Sequence, residues 1–165
     1  MKRVFLCFLL VLGSLPVLAQ YGPDRQTLQE TERWLRVVHF AEAFQGGIRR
    51  GVATAGKSNP AVERILAAPP ERIEALVASV FARNLSEAEA RDIANFYDSA
   101  VGRSVTAQQS AQIQNPSPAL QLSPVDRIRV VQFSHSVAGT KAGKLMTSEA
   151  VRDEYVKLIQ QAFRQ

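Results

Sequence analysis

Apolar residues recur along the chain at intervals of three and four positions, and no segment alternates between apolar and polar residues as a strand would. This spacing predicts an all-α protein. The first predicted helix begins at Pro23 and Asp24, and we expect Gly46 and Gly47 to end it. Its apolar face consists of Trp34, Val37, Val38, Ala41 and Phe44.

Shorter helices are predicted to follow, several of them opened by a capping residue or a proline. One covers about 48–55, a second starts at Asn59, and a third follows Pro70. The third has an apolar stripe formed by Ile73, Leu76, Val77, Val80 and Phe81. Ser86 and Glu89 have the spacing of a capping box, in which each side chain bonds the backbone amide of the other residue.

The C-terminal part of the chain continues this pattern. Ser123 is expected to cap a helix whose first position is Pro124, and Thr147 or Ser148 to cap the last helix. The last helix has an apolar stripe formed by Val151, Tyr155, Leu158, Ile159, Ala162 and Phe163. Because the helices are short and interrupted, we expect an irregular orthogonal bundle of six to eight helices rather than a coiled coil.

A short motif occurs twice, as FYDSAVG at 96–102 and as FSHSVAG at 133–139, 37 positions later. The correspondence extends backwards through the pairs Ser86 and Ser123, Glu89 and Asp126, Ile93 and Val130, and Asn95 and Gln132. A period of this size accommodates one helix-turn-helix. We therefore predict two related helical units, 86–112 and 123–147, joined by a linker at 113–122 within one domain of residues 20–165.

The residue types of this motif have a structural explanation. Phe96 and Tyr97 are expected to pack into the core, and Ser99 to cap the helix that follows. Gly102 would allow a neighbouring backbone to approach closely, because it has no side chain. The second copy repeats these positions with Phe133, Ser136 and Gly139.

A binding site between the two turns is the alternative explanation. Arg103 and Lys141 each follow the glycine of their copy and would place positive charge near helix N-termini, which already attract anions. Folding alone accounts for every residue type in the motif, so the structural explanation is preferred.

The N-terminus has the pattern of a secretory signal. Lys2 and Arg3 precede an apolar run at 4–12, and the small residues Val17 and Ala19 predict cleavage after Ala19. Cleavage at that position would remove Cys7 together with the rest of residues 1–19. Because Cys7 is the single cysteine of the chain, the mature protein would have no disulfide and no thiolate metal ligand. We expect it to reside in the periplasm.

The segment SEAEARDIANFYDSAVG, residues 86–102, resembles the DUF2059 family of exported bacterial proteins. The similarity extends over 76–105 and recurs over 125–146. The resemblance implies an α-helical periplasmic domain. It assigns no catalytic residue, since the function of the family is unknown.

Two positions of the first copy depart from the usual form of that family. Ala100 stands where the family has proline, and Ser104 stands where it has lysine. The second copy restores the lysine as Lys141 but has Ser134 in place of the tyrosine.

Residues 51–58 read GVATAGKS and match the pattern of a phosphate-binding loop. In such a loop Gly51 and Gly56 would let amides surround phosphate, Lys57 would reach the outer phosphates, and Ser58 would hold magnesium. That geometry needs a buried strand before the loop and a helix starting at the lysine. The surrounding sequence predicts neither, so a flexible loop is expected and nucleotide binding is only an alternative.

Other candidate chemistry is sparse. His39 and Glu42 share a helical face, but His135 is remote and no convergent metal site is indicated. Without Lys2 and Arg3, 18 of the 20 basic residues remain against 15 acidic ones, which is not the clustered excess of a nucleic-acid-binding protein.

The sequence therefore predicts a domain without catalytic activity that binds a protein partner or a component of the cell envelope. No cofactor, metal or nucleic acid is expected, and no transmembrane segment in the mature chain. The alternatives are nucleotide binding through the GVATAGKS segment and transport of an apolar small ligand or lipid. For the second alternative the expected pocket is lined by Phe96, Tyr97, Phe133 and Leu145.

Overall fold

A computed structural model of the protein describes residues 22–114 and 121–164, with the backbone alone for 112–114. Within these ranges the chain is an all-α bundle of nine short helices without a strand, as the sequence predicts. In chain order they are α1 (Arg25–Val37), α2 (Phe40–Ala55), α3 (Pro60–Ala67), α4 (Pro70–Phe81), α5 (Glu87–Asp98), α6 (Ala100–Gln114), α7 (Pro124–His135), α8 (Val137–Thr147) and α9 (Glu149–Ala162), with a 3₁₀ turn at Ala82–Asn84. The expected signal at 1–19 and the middle of the expected linker, 115–120, lie outside the described residues.

The helices outnumber the expected six to eight because several are separated by a single residue. Ser99 lies between α5 and α6, Ser136 between α7 and α8, and Ser148 between α8 and α9. In each case the serine ends one helix in an extended conformation and starts the next. Loops therefore make up only a small part of the described chain.

The capping residues recognised in the sequence start helices as predicted. Ser86 and Glu89 form the capping box of α5, with the Ser86 amide donating to Glu89 Oε2 at 2.8 Å and the Glu89 amide to Ser86 Oγ at 3.3 Å. Asp24, Asn59, Ser123 and Ser148 cap α1, α3, α7 and α9 through the same kind of bond. These bonds satisfy backbone amides that a helix leaves without partners at its start.

The prediction of the first helix is wrong for both the middle and the end of that helix. It breaks at His39, which has a left-handed φ of 53°, and a new helix begins at Phe40. That helix, α2, then passes through Gly46 and Gly47 and continues to Ala55. Tertiary contacts explain the continuation, because the buried Gln45 amide donates to the carbonyl oxygens of Ile65 and Ala68 at 2.9 and 3.0 Å.

One apolar core extends from α1 to α9. Trp34 of α1 is 1% exposed and packs against Phe81 of α4, with ring centroids 5.5 Å apart, and against Tyr97 of α5 at 6.1 Å. Phe40 and Tyr155 extend this aromatic cluster, with centroids 5.6 Å apart. The helices at the two ends of the described chain thus contribute to the same core.

The two copies of the repeated motif form nearly identical turns. Ser99 Oγ accepts from the Gly102 amide at 3.1 Å, and Ser136 Oγ accepts from the Gly139 amide at 3.0 Å. A Cβ atom on Gly102 would stand 2.5 Å from the Cα atom of Tyr97, so the turn requires glycine. In both copies the serine thus bonds the amide of the glycine, and the close neighbour of the glycine is the end of the preceding helix.

The two units meet through their phenylalanines. Phe96 and Phe133 are each half-buried, and their rings stack in parallel with centroids 3.7 Å apart. Tyr97 packs edge-on against Phe133 at 5.9 Å. The repeated phenylalanine thus joins one unit to the other.

Gly139→Ala is expected to destabilise the protein by about 2–3 kcal/mol, because the new methyl group would lie 2.7 Å from the Phe133 carbonyl carbon and force α7 away. Chemical denaturation followed by circular dichroism measures this. Gly143→Ala in the same helix is the matched control, since its Cβ would meet no atom within 4 Å. We expect it to stabilise the protein by about 0.5–1 kcal/mol. Equal effects of the two alanines would contradict the close approach.

Candidate functional site

The GVATAGKS segment does not have the geometry of a phosphate-binding loop. Gly51 lies inside α2, and Gly56 ends that helix in a left-handed conformation with φ of 62°. Lys57 and Ser58 are exposed in the connection that leads to Asn59, the cap of α3. A helix therefore precedes the segment where a strand is needed, and no helix begins at the lysine. The expected flexible loop is shorter than predicted, because 51–55 is helical.

Arg103 and Lys141 do not form a common anion site. Arg103 is exposed and lies 3.6 Å from Asp98, measured between Nη2 and Oδ1. Lys141 donates to Glu89 Oε2 at 2.8 Å. Each cation is therefore engaged by a carboxylate of the protein itself, and the two line different cavities.

The Glu89–Lys141 pair connects the two repeat units. The hydrogen bond from Lys141, together with the bond from the Ser86 amide, lowers the pKa of Glu89 below its ordinary value. The same carboxylate thus closes the capping box of α5 and binds α8. A lowered carboxyl pKa stabilises the folded state above the pKa of the unfolded chain, and this contribution is lost as the pH falls through the folded pKa.

Two of the four residues expected to line an apolar pocket pack against each other instead. Phe96 and Phe133 stack on each other and leave no room for a ligand between their rings. Leu145 lines a small cavity beside Lys141, whereas Tyr97 lines a separate cleft near Trp34. The structure therefore does not bring the four expected residues to one pocket.

Metal ligation has no basis in the described part of the chain. His39 Nδ1 lies 3.8 Å from Glu42 Oε1, and His135 is exposed at the end of α7. Among residues 22–114 and 121–164 no cluster of three or more His, Cys, Asp or Glu side chains is placed to hold an ion. Nor is any helix of these ranges both long enough and apolar enough to cross a bilayer.

The two units differ most in what covers their first helix. In the first unit, α1 lies along α5 in the most extensive contact between two helices of the described chain. Ala90, Ile93 and Ala94 of α5 are buried there. Arg33 of α1 also donates to Asn95 Oδ1 at 2.5 Å. In α5, therefore, α1 covers the apolar face and also binds the side-chain amide of Asn95.

The equivalent helix of the second unit has no such cover. No residue of α7 is buried among those described, and Val131 is 49% exposed where its counterpart Ala94 is 0% exposed. Val125 and Ile128, each 58% exposed, lie on the same side of α7 as Val131. We call the surface of these three side chains the α7 face. The apolar residues of α7 are spread around the helix, so their spacing in the sequence does not show which side another helix covers.

The sequence comparisons identify a family for one segment. The profile of DUF2059, described as an uncharacterized protein conserved in bacteria, matches residues 71–121. The resemblance expected from residues 86–102 is thereby confirmed, while the second copy of the motif lies outside the match. Neither the curated proteins nor the solved structures contain a match to the chain.

Glu89→Gln is expected to lower the stability at neutral pH by about half a kcal/mol and to flatten its dependence on acid, because it removes the carboxylate with the lowered pKa. Urea denaturation at pH 7 and at about pH 3 measures both effects. Glu87→Gln removes a carboxylate from the same turn that pairs with Arg91 of its own helix, and it is the matched control. The same pH dependence in both variants would contradict the role of Glu89.

Proposed function

We propose that this protein is an exported, periplasmic binding domain without catalytic activity, and that its α7 face docks one amphipathic helix of a partner protein. The proposal rests on a comparison of α5 with α7. The same helix of the repeat is covered by α1 in the first unit and has its apolar residues exposed in the second. Val131 corresponds to the covered Ala94, whereas Val125 and Ile128 correspond to Ala88 and Arg91, which are exposed in α5. A partner helix on the α7 face would therefore overlap only in part with the place that α1 occupies on α5.

The size of the α7 face favours a single helix over a second copy of the whole domain. α7 has 12 residues and is therefore about 18 Å long. A stable dimer buries about 800 Å² on each partner, which three exposed side chains do not supply. One amphipathic helix packed against an apolar face is a recurring mode of recognition that needs less area.

The polar residues beside the α7 face indicate the chemistry of the partner. Arg127 is exposed at the position where α5 has the buried Ala90, so the partner helix is expected to present a carboxylate there. Gln132 is exposed and corresponds to Asn95, the amide that binds Arg33 of α1. The partner helix should therefore combine an apolar stripe with an acidic residue and a hydrogen-bond donor.

Photo-crosslinking in living cells tests this proposal. A benzoylphenylalanine placed at Ile128 of the exported chain is expected to capture a partner, whereas one at the exposed Lys157 of α9 is the control. The captured peptide should be an amphipathic helix with an acidic residue. The purified partner should bind at least tenfold more weakly to Val131→Glu than to Ala150→Glu, an exposed position on α9.

Three outcomes would overturn the proposal. One is the same capture from both positions, and another is equal affinity of the two glutamate variants. The third is capture of a second copy or of lipid at Ile128, since either would assign the α7 face to a different occupant.

Export is tested separately. Intact mass spectrometry of the protein from a periplasmic extract is expected to give a chain beginning at Gln20, because Val17 and Ala19 are the small residues that signal peptidase requires. Ala19→Arg should leave the precursor uncleaved. A full-length chain confined to the cytoplasm would contradict the expected location without bearing on the α7 face.

A further inference from the structure

Glu74 of α4 is an acidic residue inside the bundle. Its side chain is 3% exposed, and among residues 22–114 and 121–164 it is the one charged side chain that is buried. Buried charges are normally paired and hydrogen-bonded, because an ion loses its hydration on burial. The buried Gln45 shows how a polar side chain is usually accommodated, since its amide donates to two backbone carbonyl oxygens.

The Glu74 carboxylate has a weak ion pair and lacks a hydrogen bond at one oxygen. Glu74 Oε2 accepts no hydrogen bond from the described residues. Arg36 Nε of α1 lies 3.9 Å from that oxygen, which is beyond hydrogen-bond distance. The Arg36 side chain is 64% exposed, so water screens the attraction between the two charges. The ionised form of Glu74 is therefore poorly stabilised in the folded protein.

The other charges around Glu74 differ in sign. Glu42 of α2 and Glu71 of α4 repel its negative charge, whereas Arg36 and the protonated form of His39 attract it. Burial, and after it the charge of Glu42, raises the pKa of Glu74 above its ordinary value, and Arg36 offsets only part of the rise. The surroundings thus favour the protonated carboxyl group.

Two further elements pack against α4, namely α9 and the 3₁₀ turn at Ala82–Asn84. Arg83 of the turn pairs with Glu154 of α9, with Nη2 and Oε1 2.7 Å apart. In the described part of the chain neither residue forms an ion pair with Glu74. These elements therefore leave the charge of Glu74 without compensation.

The helices that face Glu74 meet at a strained junction. Arg36 lies in the last turn of α1, Glu42 lies in the first turn of α2, and His39 between them has a left-handed φ of 53°. A residue other than glycine keeps this conformation only where surrounding contacts hold it. The packing of α4 against the α1–α2 junction is such a contact. A change of charge at Glu74 therefore acts on a segment that depends on its packing.

We infer that Glu74 is a pH-sensitive latch: its protonated side chain keeps the α1–α2 junction closed on α4, and its ionised side chain opens that junction. A neutral carboxyl group is not repelled by Glu42 and loses little hydration on burial. An ionised carboxylate is better hydrated when the junction moves away and admits water. This device is separate from the α7 face and does not depend on the proposed partner.

The direction of the pH dependence follows from linkage. Because the pKa of Glu74 is raised in the folded protein, its ionisation destabilises the closed junction above that pKa. The penalty disappears as the pH falls from the folded pKa to the pKa of the unfolded chain. This effect is opposite in sign to that of Glu89, whose contribution to stability is lost in acid.

Hydrogen exchange at the junction tests the latch. The Ala43 amide donates to the His39 carbonyl oxygen at 3.1 Å, so its exchange reports opening of the first turn of α2. At about pH 8 it should exchange roughly threefold or more faster in the wild type than in Glu74→Gln, which stays neutral. At about pH 4 the two rates should converge. Comparison at one pH removes the intrinsic pH dependence of exchange, and amides of α8 provide an internal reference.

Three further variants separate the latch from other effects. Glu63→Gln removes an exposed carboxylate from α3 and should exchange like the wild type at both pH values. His39→Asn removes the other group that titrates in this range and keeps a residue type that tolerates a left-handed conformation. It should retain the pH dependence. Glu74→Met, with an apolar side chain of similar length, should behave like Glu74→Gln.

Carbon-13 NMR of the side-chain carboxyl groups in the wild-type protein provides a measurement that needs no variant. The Glu74 carboxyl carbon should titrate at a higher pH than an ordinary glutamate, and Glu89 at a lower one. Titration of Glu74 at or below the ordinary value overturns the inference. So does equal exchange of the Ala43 amide in the wild type and Glu74→Gln at about pH 8, or loss of the pH dependence in His39→Asn.

Discussion

Burial of Trp34 between α4 and α5 is the contact on which the other helices depend. The indole packs on Phe81 and Tyr97, and through Phe81 it joins the aromatic cluster that reaches α2 and α9. Residues 20–165 contain no cysteine, so no disulfide can hold these helices together. Their arrangement must come from apolar packing, supported by ion pairs and polar bonds such as those of Glu89 and Gln45.

The internal repeat shows how similar local structures acquire different roles. Both copies use a serine cap and a glycine at a close approach, and their phenylalanines stack on each other. The N-terminal helices then cover only one of the two units, because α1 lies along α5 and not along α7. The proposed interaction surface lies where the symmetry of the repeat is incomplete. The α7 face is exposed and apolar, which fits the side of the proposed partner helix.

The sequence by itself determined the all-α class, the helix starts at Ser86 and Asn59, and the serine and glycine turns of the repeat. These features depend on hydrogen bonds and steric contacts between residues a few positions apart, so residue type and spacing reveal them. Only the tertiary structure decided that α2 continues through Gly46 and Gly47. The Gln45 side chain anchors α2 there, because it donates to the carbonyl oxygens of Ile65 in α3 and of Ala68 just after α3. It also decided that Ala94 is covered and Val131 exposed, and that Trp34 and Thr106 meet at one cleft. Burial depends on which distant helix lies against a residue, and an apolar residue such as Ala94 or Val131 does not by itself reveal that neighbour.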